Sequence, residues 1–407
     1  VTYRSRELSP LVRKATRSLP VVVITGLRQV GKTTFLLEDP SLRGRRYFSL
    51  DDFATLEAAR REPEALVEGD APTTIDEAHR SPELLTVIKK AVDRRRIPGR
   101  FVLSGSANLA LLKNVSESLA GRAIYLTLHP FTRRERLGQA STQPLVLRLL
   151  DTVALPGKRE ARPIEEEEIL KGGMPPVALG ESRDPALWFL GYEQTYLERD
   201  VRQLSQVADL VSFRNLVRLT ALRTAQVLNQ SELARDAKLP VSTVARYLNL
   251  LETSFVVSRV PPFLKSRVSR LIKSPKVFIS DSGLASHLTS VSNLSAMADE
   301  PMRGPLLETY VFQNLVAILG AHLPEAELSF WSVQGRYEID FVVSHRRTAI
   351  GIEVKAGTRF RDSDLAGLTA FVEKGSGVRA GILAYNGREV ATLGDRLYLM
   401  PLDILLS

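Results

Sequence analysis

Three observations along the 407 residues predict an α/β fold. Five short runs of β-branched and aromatic residues alternate with helical intervals before residue 130, the pattern of a parallel sheet with crossover helices. A helical stretch follows from Phe213 to Arg259, and from Arg303 onward helix and strand return as a mixed α/β end. At about 150 residues per domain, the length suggests two or three cores. The chain is 44% hydrophobic and 25% charged with no cysteine, which excludes a disulfide framework, a Cys-ligated zinc and an iron–sulfur cluster. No apolar run reaches the roughly 18–20 residues of a spanning helix, and Val1 to Arg6 open no apolar signal region, so a cytoplasmic protein without a membrane partner is expected. A net charge of +9 hints at an anionic partner without locating it.

The first strand expected, Val21-Val22-Val23-Ile24-Thr25, is continuously apolar, as a strand buried on both faces must be. Tyr47 to Leu50, Thr73 to Ile75, Phe101 to Leu103 and Ala123 to Leu128 supply the other four. Directly after the first strand, Gly26-Leu27-Arg28-Gln29-Val30-Gly31-Lys32-Thr33 satisfies G-x-x-x-x-G-K-[ST] without a departure. Its glycines let backbone N–H groups turn inward on a phosphate, and the helix that follows adds its positive end. Lys32 is expected at the β- and γ-phosphates and Thr33 on Mg²⁺. Asp76-Glu77 end the third strand; Asp76 is expected to hold Mg²⁺ through water and Glu77 to polarise the attacking water. An acidic first helical turn is the alternative for this pair. Ser104-Gly105-Ser106 reads equally as a phosphate sensor or a plain turn, and Arg122 as a cationic partner for phosphates or a surface residue.

From His129 to about Ser212 the pattern is helical and charged; Glu165 to Glu168 read as a solvated helix face. Ser231 to Ala237, a turn at Pro240, and Ser242 to Leu251 have the shape of helix, turn, helix, with Ser231 and Ser242 as N-caps. Thr243, Arg246 and Tyr247 are expected to face outward on the second helix, where a DNA reader enters the major groove. Arg259, Lys265, Arg267, Arg270, Lys273 and Lys276 then follow with no intervening acid, a flank suited to phosphates. A helical packing module is the other reading.

Near the end, Glu338 to Val343, a polar turn at Ser344 to Thr348, and Ala349 to Lys355 read as a hairpin that sets Asp340 opposite Glu353. Opposed carboxylates lie roughly 5 Å apart and can share a divalent cation, with Lys355 on the same face. Asp, then Glu-x-Lys, is the arrangement of the PD-(D/E)-x-K nucleases. Glu308 resembles the preceding-helix acid of that fold, and Trp331 to Gln334 its first strand.

Gly26 to Thr34, Ile75-Asp76-Glu77, Leu103 to Ser106, Leu119 to Arg122 and Tyr196 to Val201 together resemble the prokaryotic AAA+ ATPases that carry a C-terminal domain of unknown function. The resemblance implies ATP and Mg²⁺ as cofactors and an ATP-binding core with an additional strand between the loop strand and the acid-pair strand. It also implies a helical lid, a winged-helix module, a restriction-endonuclease-like α/β end, and a homo-oligomer with an arginine such as Arg122 acting across subunits. The divisions expected are 1–135 for the ATPase core, 136–212 for the lid, 213–276 for the winged helix with its basic flank, and 277–407 for the nuclease-like end. Asp76-Glu77-Ala78-His79 also spells a helicase box, but no second half with an arginine motif follows; His79 reads as a polar contact near the acid pair. The expected function is an ATP-hydrolysing protein that binds DNA, with Mg²⁺-dependent cleavage by Asp340, Glu353 and Lys355. The alternative is a nucleotide-controlled protein-interaction switch with an inactive nuclease-like end.

Overall fold

Valine and isoleucine at alternate positions divide the first strand between two apolar layers, which fixes the front of the molecule. Strands β1 (Val21–Thr25), β2 (Arg46–Ser49), β3 (Thr73–Asp76), β4 (Phe101–Ser104) and β5 (Ala123–Thr127) form one parallel sheet in the order β2-β3-β4-β1-β5. Val22 and Ile24 pack into one core, whereas Val21 and Val23 pack with Ile75, Phe101 and Leu103 into another, against the helix Pro82–Arg94. A strand covered on both faces has no polar side to show, hence the unbroken apolar run. β4 lies between β1 and β3, the additional strand expected there. The structure is a computed structural model that describes residues 3–105, 119–153, 155–156, 160–197, 209–264, 267–293, 300–333, 336–375 and 377–407.

After β5, short helices carry the chain to residue 192, including Glu166–Lys171 and Pro185–Tyr192. The acid run is only partly solvated. Glu167 pairs with Lys171, but Glu168 turns inward to Arg133 at 3.2 Å and Arg136 at 3.4 Å. Then come the helix Leu210–Ala221, β6 (Gln226–Val227), the helices Gln230–Ala237 and Val241–Thr253, β7 (Val257–Val260) and β8 (Lys276–Ile279). The three strands pair antiparallel as β6-β8-β7. Both middle helices start earlier than their serines suggest: Asn229 accepts from the Glu232 N–H at 3.2 Å as N-cap, and Pro240 precedes the second helix. Pro240 fixes an extended entry, so the helix begins at Val241.

The helix Arg303–His322 leads into β9 (Glu327–Val333), β10 (Tyr337–His345), β11 (Thr348–Lys355), β12 (Val378–Tyr385), β13 (Ala391–Gly394) and β14 (Leu397–Pro401). The sheet order is β13-β14-β12-β11-β10-β9. The expected hairpin is β10-β11, with Phe341 opposite Ile352 and His345 opposite Thr348; Arg346 turns it in a left-handed conformation at φ 54°. One apolar cluster runs from Leu8 through Val22, Leu251 and Leu315 to Ile352 and Leu405, so the front sheet, the middle helices and the last sheet share a core.

Candidate active site

Gly26 leaves β1 at φ 139°, and a Cβ there would stand 2.2 Å from the Leu128 carbonyl oxygen, so only glycine admits this turn. Gly31, at φ 90°, releases the chain into the helix Lys32–Glu38. Between them Leu27 and Val30 bury their side chains in the core, leaving only backbone to a ligand. Arg28, Gln29, Gly31, Lys32, Thr33 and Thr34 line a cavity of 870 Å³ together with Glu77, a volume suited to a nucleotide-sized ligand.

Lys32 is 6% exposed and donates to the carbonyls of Gly26 at 3.1 Å and Leu27 at 3.0 Å. Burial lowers its pKa to about 8 against the opposing pull of Glu77 and Asp76. The Thr33 hydroxyl donates to Asp76 Oδ2 at 2.6 Å, and the Tyr47 hydroxyl donates to the same oxygen at 2.9 Å. Ser104 Oγ donates to Asp76 Oδ1, and the Glu77 N–H points at both at 3.1 and 3.3 Å. Ser104 is thus tied to the acid pair, and Ser106 lies outside the described residues. Glu77 adopts φ 54°, and His79 Nδ1 lies 3.0 Å from its Oε2, the polar contact expected of His79.

Arg122 does not line the cavity of its own chain: its guanidinium grips Asp93 in two bonds of 2.6 and 2.9 Å on the helix Pro82–Arg94. Several residues of the cavity wall went unread in the sequence. Tyr3, Arg4 and Arg6 come from before β1, and Phe131, Pro175, Leu179 and Trp188 from after β5. Trp188 stacks on Tyr192 at 5.3 Å, and the Tyr192 hydroxyl donates to the Arg28 carbonyl at 3.4 Å. An apolar wall opposite a phosphate loop suits a purine face. The Pro175-Pro176 break and Trp188 were the available signals.

At the far end Asp340, Glu353, Lys355 and Glu308 do meet. Continuing the β10-β11 register sets Asp340 opposite Glu353. Asp340 Oδ2 accepts from the Val354 N–H at 2.9 Å, and Lys355 Nζ lies 3.1 Å from Glu353 Oε1. Burial, then the Asp340 charge, pushes Glu308 well above its ordinary pKa and Glu353 up to about 8. A fifth member was misassigned: Lys276, counted in the basic flank, is buried at the head of β8 among Glu308, Glu338 and Asp340. Burial opposes its charge, but Asp340, Glu308 and Glu338 outweigh that and raise its pKa. Among the described residues no group of three or more His, Cys, Asp or Glu is arranged to hold a metal ion, and the charge that Glu308 and Asp340 face is the Lys276 ammonium.

The expected DNA-facing residues divide. Arg246 is exposed and Thr243 half-buried, but Tyr247 is 4% exposed and packs edge-on against Phe213 at 5.2 Å. Its ring completes the apolar face of its helix, so it does not face outward. In the flank Lys273 is exposed, Arg270 pairs with Glu327, and Arg259 lies 3.5 Å from Glu252. Lys265 lies outside the described residues, as does the side chain of Arg267.

A phosphate loop on a parallel β2-β3-β4-β1-β5 sheet, with an acid pair closing β3, defines a P-loop ATPase. Residues 18–137 match the AAA domain family, residues 164–295 a domain of unknown function (DUF8612), and residues 303–405 a domain of unknown function (DUF4143). The chain is 31% identical over 353 residues to uncharacterized proteins of Mycobacterium tuberculosis and Mycobacterium bovis, covering 86% of this chain and 73% of each relative, and it belongs to their family. Among solved structures it is similar to a Walker-type ATPase of Pyrococcus abyssi, at 16% identity over 71% of this chain and 98% of that one, with a TM-score of 0.44. It is also similar to the RuvB Holliday junction branch migration motor of Thermotoga maritima, at 18% identity over 62% and 86%, with a TM-score of 0.28.

Proposed function

We propose that this AAA-domain ATPase is a nucleotide-controlled switch whose P-loop reports to the helix Arg303–His322. One observation carries the reading: that helix grips the wall of the nucleotide cavity. Gln313 Nε2 donates to the Phe131 carbonyl at 3.2 Å, Asn314 Oδ1 accepts from the Arg133 N–H at 2.7 Å, and His322 Nε2 lies 2.5 Å from Glu7 Oε2. Next to Glu7, Arg6 donates to the P-loop carbonyl of Val30 at 2.9 Å and to Glu135 at 3.1 Å. A shift in the P-loop therefore meets a buried, charge-assisted ladder ending on the helix.

In this reading Lys32 holds the β- and γ-phosphates and Glu77, oriented by His79, positions the attacking water. Thr33 and Asp76 offer a hydroxyl and a carboxylate, the oxygen donor set that suits Mg²⁺. Bound there, Mg²⁺ would neutralise charge on the phosphates. Lys32→Ala is expected to abolish ATP turnover, and hydrogen exchange along 303–322 is expected to slow with ATP in the native chain only. Equal exchange with and without ATP in an actively hydrolysing chain refutes the coupling.

DNA contact is a second reading. The helix–strand order of residues 210–279, with Arg246 and Lys273 exposed on it, supports reading this module as a winged helix. Arg246→Ala with Lys273→Ala is expected to weaken binding of duplex DNA and flatten its salt dependence; binding that is indifferent to both changes removes the module from DNA contact. A homo-oligomer is proposed alongside, and mass photometry with and without ATP tests it.

A further inference from the structure

The cation in the acidic cluster is supplied by the chain. Lys276 is 2% exposed, and its Nζ lies 2.6 Å from Glu338 Oε1, 3.2 Å from Asp340 Oδ1 and 3.6 Å from Glu308 Oε2. The face of Phe330 closes it from another side at 5.8 Å. An ammonium keeps its charge at this depth where carboxylates replace its water. We propose that the Lys276 ammonium is the resident cation of this cluster, standing where a metal-dependent phosphodiesterase would carry a divalent ion, and that it closes the cluster to metals.

Ligand accounting supports this. Asp340 has both oxygens engaged, Oδ1 by Lys276 and Oδ2 by the Val354 N–H. Glu353 Oε1 is taken by Lys355. A divalent ion placed among these oxygens would sit within a few ångströms of a fixed positive charge, and their repulsion inside the protein is poorly screened. Two acceptors are weakly engaged: Glu353 Oε2 is buried and accepts no hydrogen bond, and Glu308 Oε2 is reached by Lys276 only at 3.6 Å. They are the atoms an ion would recruit once the ammonium is removed. Lys276 also heads β8, which pairs with β6 and β7, while Asp340 lies on β10 of the last sheet. The ammonium therefore ties the two sheets together, and the acids serve as a joint rather than a cleavage centre.

The test is a Mn²⁺ titration of the full chain, followed by electron paramagnetic resonance and by thermal unfolding, without nucleotide. The P-loop is intact in every variant, so the outcome does not depend on the ATPase coupling proposed above. The native chain and Asp340→Asn are expected to give the same Mn²⁺ isotherm. Lys276→Met is expected to lose several degrees of Tm, to gain one Mn²⁺ site that Lys276→Met with Asp340→Asn lacks, and to recover part of the lost Tm as Mn²⁺ rises. A Mn²⁺ site in the native chain that Asp340→Asn removes overturns the proposal. So does a folded Lys276→Met chain that gains no such site. Should Lys276→Met fail to fold, the native and Asp340→Asn pair decides alone.

Discussion

Lys32 sits in its own P-loop, with its ammonium on two carbonyls and no ionised oxygen within hydrogen-bonding distance among its bonds. Burial lowers its pKa to about 8 from 10.5, so the unfolded chain binds more protons between those values. Stability without nucleotide should therefore rise with pH from 8 to 10.5, a gain absent in Lys32→Met. ATP affinity runs the other way, because phosphates need the charged amine. It should fall by roughly fivefold between pH 8 and 9, and calorimetry in buffers of different ionisation enthalpy should register proton uptake on binding. No uptake near pH 8 would mean that Lys32 does not contact the phosphates. Gly26→Ala is the steric counterpart: its Cβ meets the Leu128 carbonyl at 2.2 Å, and an overpacking loss of about 1–3 kcal/mol is expected in chemical denaturation.

At the scale of elements, the segment Phe131–Arg136 lies between the cavity and the helix Arg303–His322. Thr132 and Glu135 form a reciprocal capping box there, with Glu135 Oε2 accepting from the Thr132 N–H at 2.9 Å. Glu135 Oε1 also takes Arg6 and the Glu7 N–H, so one carboxylate holds the N-terminal segment, the cap and the P-loop neighbour together. Asn314→Ala leaves the Arg133 N–H without its acceptor and should cost about 1–3 kcal/mol of stability. If the helix is the receiver, that variant should hydrolyse ATP yet lose the nucleotide-dependent protection of 303–322. Retained protection would locate the coupling elsewhere.

For the whole molecule, charged contacts join residues far apart in sequence. Arg133 pairs with Asp403 as well as Glu168, Asp403 Oδ2 accepts from the Arg162 N–H at 3.0 Å, and Arg134, fully buried, donates to Glu7 at 2.7 Å. Removing one partner of such a pair strands the other in the core. Because Glu168 still faces Arg133, Asp403→Asn should cost less than stranding the charge outright, about 1–3 kcal/mol. Because one apolar cluster spans the chain, denaturant unfolding followed at Trp188 and Trp331 should give a single transition. Separate midpoints for the two tryptophans would restore the independent domains that the sequence suggests.

The sequence by itself determined the five-stranded parallel sheet, the phosphate loop, the acid pair and the β10-β11 hairpin with its opposed carboxylates. These are local: a β-branched run, a glycine spacing or a turn fixes each within a dozen residues. Only the tertiary structure decided where the charges went. Lys276 and Arg270 read as part of a basic flank suited to phosphates, since no acid lies between Arg259 and Lys276, yet folding brings Asp340 to one and Glu327 to the other. Tyr47 and Ser104 reach Asp76 from neighbouring strands, and Trp188 reaches the cavity from 156 residues beyond Lys32. A cation's role depends on the nearest carboxylate in space, and that distance is set by which sheets and helices pack together, which no single segment encodes.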